Sequence, residues 1–153
     1  ERSAALLGVA AIHWLGYEDS GMHGWEQNGN PASFHQADPE EAAGRLAAIL
    51  RAEGADLLTV YDSHGNYGHP DHIAVHRVGH RAAELAGVGE VYEATMNRDH
   101  FERIMVLAKE QGIDLGFDED DEPQTEDGND FGTAEVDLTT AVDVAAFLET
   151  CPA

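Results

Sequence analysis

The sequence is poor in cysteine, in basic residues and in long apolar runs. Its single cysteine, Cys151, makes no internal disulfide and stands far along the chain from the histidines, so we read it as incidental. Only 8 basic residues, with Lys109 the sole lysine, face 30 acidic ones, for a formal charge of −22. Such a surface repels phosphate backbones and anionic lipid, which disfavours nucleic-acid and membrane partners and suits cations. No apolar stretch approaches the roughly 18 to 20 residues of a spanning helix, and Glu1-Arg2-Ser3 does not open a signal peptide. The expectation is a cytoplasmic protein; no oligomeric state is read from the sequence.

What is present is enough for one domain: 153 residues, 42% of them hydrophobic. Ala4 to Leu7 are helix formers, Gly8 is a stop, and Val9 to Leu15 reads as a strand. Gly16 to Trp25 is a glycine-rich loop. In it Asp19 or Ser20 bonds its own backbone, or Asp19 accepts from a ligand hydroxyl beside Trp25 or Tyr17. Asp38 as N-cap, Pro39 at the first helical position and Gly54 as stop delimit a helix with an apolar stripe that includes Leu46, Ile49 and Leu50. Asp56 to Tyr61 is a short buried strand, Ile73 to Ala86 a helix, Glu90 to Met96 a strand, and Asn97 opens a helix ending near Gly112. Residues 115–130 are acid-rich and expected to be a mobile surface segment; a calcium loop there lacks the alternation of oxygen ligands. Val136 to Val144 alternates like an edge strand, and Ala145 to Glu149 is helical. Helix, turn, strand, glycine-rich turn, helix is the grammar of an α/β fold, a Rossmann-like and mostly parallel sheet flanked by helices.

The stretch from Tyr61 to His72, YDSHGNYGHPDH, holds three of the nine histidines at a strand-to-helix turn. Open α/β folds place ligands there, outside the carboxyl ends of their strands. Pro70 suits the first helical position, putting His69 at the cap and Asp71 and His72 in the first turn. His69 and His72, three apart, can face one pocket. The positive helix end disfavours an imidazolium, leaving a neutral ring able to bind metal. A catalytic zinc takes three protein ligands and a water, whose pKa it lowers from about 16 to near 7. Asp71 could orient the second histidine, and Tyr67 could donate to a developing oxyanion. The same residues also serve as plain caps, and one H-x-x-H pair does not establish a metal site. His64, His76 and His80 read as surface or supporting residues, while His13, His23, His35 and His100 carry no ligand spacing.

Two motifs, Trp14 to Met22 (WLGYEDSGM) and Tyr67 to His72 (YGHPDH) followed by Ile73-Ala74-Val75-His76, resemble the PIG-L/LmbE-like zinc-dependent N-deacetylases, in particular the actinobacterial branch with the mycothiol-pathway deacetylase and conjugate amidase. The resemblance extends more weakly to Phe131-Gly132-Thr133 and Val142-Asp143-Val144. It implies His72 as a zinc ligand, with Fe2+ also admitted by such a ligand set, and His69 as an acid or electrostatic helper oriented by Asp71. It implies Tyr67 beside the oxyanion, Asp19 on substrate hydroxyls, and hydrolysis of an acetamido group on an N-acetylglucosamine-type sugar conjugate. That family is also similar at an early strand followed by H-P-D-D, which supplies the other ligands and a base. Here the only His-Pro-Asp begins at His69. The expectation is therefore a single deacetylase-like α/β domain cut at both ends. A conjugate amidase is the alternative, and a non-catalytic sugar- or metal-binding module is the reading if the chain is complete.

Overall fold

A computed structural model describes residues 2–113 and 131–150. The expected acidic segment 115–130, with its rejected calcium loop, lies outside the described residues.

Helix α1 (Arg2–Leu6) stops at Gly8, which adopts a positive φ of 71°. Helix α2 (Pro39–Glu53) begins as its cap predicts: the Asp38 side chain accepts from the Glu41 amide, Pro39 opens the first turn, and Gly54 closes the helix in the left-handed region. Strand β1 (Leu57–Tyr61) follows, then a four-residue kinked turn α3 (Gly65–Gly68), helix α4 (Pro70–Ala86) and strand β2 (Glu90–Ala94). Asn97 caps α5 (Arg98–Gln111) by accepting from the His100 amide, and Gly112 terminates it.

β1 and β2 pair in parallel, in register from Leu57 opposite Glu90 to Tyr61 opposite Ala94, with α4 as the crossover between them. This β–α–β unit bears out the α/β expectation as a parallel pair flanked by helices. α2 packs on α4, and α4 on both strands. The contact between the helices is built from small residues, Ala42, Ala43, Ala47 and Ala82, around Leu50 and Val78. Burying the larger side chains, Leu50, Val60, Ile73 and Val78, contributes about 1.5–3 kcal/mol each. Gly79 lets α4 approach β1, because a Cβ there would collide with Val60 Cγ1.

Two expected strands are not strands in the structure. Residues 9–15 run irregularly with Val9, Ile12 and Trp14 exposed, and residues 136–144 hold only a 3-10 turn, Glu135–Asp137, with Val136 and Val142 exposed. Alternation and apolarity define a strand only when a neighbour completes its ladder, and neither segment has a ladder partner among the described residues. The terminal helical segment is a 3-10 helix, Ala145–Thr150. Among the described residues, no helix is long and apolar enough to cross a membrane.

Candidate active site

The site forms where β1 runs into α4. Asp62, 2% exposed, follows the strand directly and organises the turn. Its amide donates to the Ala94 carbonyl at 3.2 Å, and its carboxylate accepts from the Asn66 amide at 2.7 Å and the Thr95 hydroxyl at 2.5 Å. Thr95 in turn meets the Thr133 hydroxyl at 2.8 Å, so the 131–133 segment docks against the end of β2. The turn needs unusual backbone. Gly65 has φ 66°, and a Cβ on it would lie 2.8 Å from Ile73 Cγ1. Asn66 is the single described non-glycine residue with positive φ, at 64°. Strain of this kind concentrates at functional turns.

α4 begins as the sequence predicts. His69 is the N-cap: its Nδ1 accepts from the Asp71 amide at 3.1 Å, so in the neutral ring the proton sits on Nε2. His72 is the reverse. Its Nδ1 lies 3.2 Å from the Gly65 carbonyl oxygen, which only accepts, so Nδ1 carries the proton and Nε2 keeps a free lone pair. The His72 ring stacks on Tyr61 at 3.8 Å between centroids and 9° between planes. Burial is the main cause of a pKa below the usual histidine value; the Gly65 hydrogen bond opposes it, and His69 adds to the lowering. The two rings are 4.9 Å apart and present one donor and one acceptor. Tyr67, 42% exposed, stands edge-on to both.

Asp71 bridges to the distant loop. Its Oδ2 accepts from the Ser20 amide at 3.0 Å and its Oδ1 from the Ser20 hydroxyl, which itself accepts from the His35 amide at 2.9 Å. Asp71 thus reaches His69 through its amide, while its carboxylate is committed to the fully buried Ser20. Asp19 accepts from the Gly21 amide at 2.8 Å, the local turn anticipated for this loop. Asn28 donates to the Ser20 and Met22 carbonyls and accepts from the Gly24 amide, closing the loop. An open cleft of about 410 Å³ runs between this loop and α4, lined by Trp14, Tyr17, Asp19, Phe34 and Asp71 among others.

The structure thus gathers His69, Asp71, His72, Tyr67 and Asp19 at one end of the β–α–β unit. Sequence reasoning missed Ser20 and Asp62 as organisers. An acid directly after a strand and three before a glycine was the available signal for Asp62, and none marked Ser20 as the partner of a residue 51 positions away.

One grouping and one single residue here bear on a metal. One ligand atom each of Asp19, His69 and Asp71 lies within 4.8 Å of the others. The Asp71 oxygens and His69 Nδ1 are already held by hydrogen bonds, so this group is wired as a scaffold. His72 lies outside that group, but its free Nε2 and neutral ring fit a metal ligand. The donor chemistry therefore fits a divalent ion at His72, with further ligands required beyond it.

The chain is similar to several known proteins. A 1D-myo-inositol 2-acetamido-2-deoxy-alpha-D-glucopyranoside deacetylase 1 of Catenulispora acidiphila is 36% identical over 94% of the chain and 49% of its own length. A deacetylase of the same name from Thermobispora bispora is 35% identical over 95% of the chain and 52% of its own length. One from Streptomyces avermitilis is 51% identical over 56% of the chain and 31% of its own length. The chain spans about half the length of the first two of these relatives. The PIG-L family model, GlcNAc-PI de-N-acetylase, matches residues 1–83, more than half of the sequence and including both motifs and all five gathered residues, and the chain therefore belongs to the PIG-L family.

Proposed function

We propose that this chain forms part of the active site of a cytoplasmic metal-dependent deacetylase that hydrolyses the acetamido group of an N-acetylglucosamine-type sugar, with a glucosaminyl-inositol as the substrate suggested by the relatives' names. The observation that carries the reading is the opposed bonding of two adjacent rings beside a cleft: His69 Nδ1 accepts from an amide and His72 Nδ1 meets a carbonyl, which assigns Nε2–H to His69 and a bare Nε2 to His72.

His72 would hold the ion, with Zn2+ or Fe2+ suiting a nitrogen and oxygen ligand set. When bound, the metal supplies Lewis acidity and an activated water. The chain's own residues do the rest. His69 Nε2–H donates a hydrogen bond to negative charge developing on the amide, while the proton the departing amine takes up comes from the attacking water, by way of a carboxylate base, as the C–N bond breaks and acetate leaves. The Tyr67 hydroxyl adds a second donor to the same charge. Asp19 accepts from a sugar hydroxyl in the cleft, and Trp14 offers a flat wall to the ring. Asp71, through Ser20, holds the substrate loop against α4.

The test is acetate release from N-acetylglucosaminyl-inositol by the full-length protein, with and without chelator. Metal-dependent acetate release supports the reading. No acetate from a metal-loaded protein sinks it, and release of an acylated cysteine from a mycothiol conjugate would move the activity to the amidase class.

A further inference from the structure

α4 carries a second pair of histidines beyond the first. His76 and His80, four apart, lie on one face with ring centroids 4.6 Å apart. Both turn toward Glu93 on β2. His80 Nε2 lies 2.9 Å and His76 Nδ1 3.6 Å from the same oxygen, Glu93 Oε1. His76 Nδ1 is also 3.1 Å from the Tyr61 carbonyl oxygen.

The position of Glu93 is the informative feature. It pairs with Val60, as Val91 pairs with Leu58, so it belongs to the row of the sheet that α4 covers. That row is ordinarily apolar in a parallel sheet. The Glu93 side chain stays 40% exposed there, and two imidazoles converge on its carboxylate. One ligand atom from each of the three residues lies within 4.8 Å of the others. Two histidines at helical i, i+4 spacing with a carboxylate form a nitrogen and oxygen set suited to Zn2+ and ions like it, with one position left for water.

We propose that His76, His80 and Glu93 form a second divalent transition-metal site, separate from the one at His72, that clips the middle of α4 to β2. At His80 the ion takes the place of the Nε2 proton directed at Glu93, while His76 keeps its Nδ1 proton on the Tyr61 carbonyl and offers Nε2. Because His76 touches the Tyr61 carbonyl and the Tyr61 ring stacks on His72, the clip also steadies the strand end that supports His72.

The experiment uses full-length protein stripped of metal, with His72→Ala to remove the other ligand. Titration with Zn2+ should show binding that raises the melting temperature, and adding His80→Gln or Glu93→Gln should weaken that binding at least about 10-fold and abolish the thermal shift. A second measurement does not depend on those variants folding well. His80→Cys, made with Cys151→Ser, should gain a sulfur-to-cobalt charge-transfer band on addition of Co2+. Unchanged Zn2+ affinity in His80→Gln, or a folded His80→Cys variant without the band, would show that the three residues form only a hydrogen-bonded ion triad.

Discussion

Two histidine pairs share helix α4, and their surroundings give them different chemistry. His72, in the first turn, lies flat on Tyr61 with its Nδ1 held by a backbone carbonyl, and burial keeps the ring neutral. His80, two turns later, is 40% exposed in its side chain and meets a carboxylate. Spacing is nearly the same in the two pairs, H-x-x-H and H-x-x-x-H. What separates them is what each ring faces. A desolvated ring fixed by a neutral acceptor is prepared as a bare ligand, whereas a ring sharing a carboxylate needs a proton or an ion to complete it.

The sharpest break in that comparison is His72→Ala. In the full-length protein it should reduce acetate release to the uncatalysed background and remove metal from the first site; undiminished activity would strip His72 of its role. His69→Ala should lower kcat by about 10²–10⁴-fold while leaving metal content unchanged, because its Nε2–H acts on the substrate and not on the ion. Metal loss in that variant, read by elemental analysis, would instead make His69 a ligand.

Smaller effects probe the supports of the first pair. Ile73→Ala empties the contact beneath the Gly65 turn and should destabilise the protein by about 2–5 kcal/mol in urea unfolding. Asp71→Asn loses the charge that holds Ser20 and should cost about 1.5–3 kcal/mol, with a raised KM as the substrate loop loosens. A KM equal to that of the parent would separate the loop from substrate binding.

The pH response should be the smallest effect. Burial sets the folded pKa of His72 below the unfolded value of 6.5. Between the two values the unfolded chain binds more protons than the folded one, so stability is complete above about pH 6.5 and declines as the pH falls through that window. His72→Gln should flatten this part of the stability curve; an unaltered curve would mean the ring is not desolvated.

Much of the frame was legible in the sequence because it is written in neighbouring residues. Asp38-Pro39 and Gly54 bracket α2, His69-Pro70 and Gly87 bracket α4, and Asn97 and Gly112 bracket α5, as cap chemistry and left-handed stops require. The motif residues around His69 and His72 were legible for the same reason. The strands expected at residues 9–15 and 136–144 were not, since an apolar or alternating run leaves open whether a partner strand lies beside it. His76 and His80 read as helix surface because nothing local announced that Glu93 would face them.

By itself, then, the sequence determined the β–α–β order, the helix limits and the concentration of ligand-type side chains at one turn, all short-range consequences of backbone preference and spacing. Only the tertiary structure decided which nitrogen of each histidine is free, that Asp71 would hold Ser20 across 51 residues, and that Asp62 would meet Thr95 across 33. Those contacts depend on how α4 lies against the sheet and the loop, a relation settled by packing of α2, α4 and β1 and carried by no single stretch of chain.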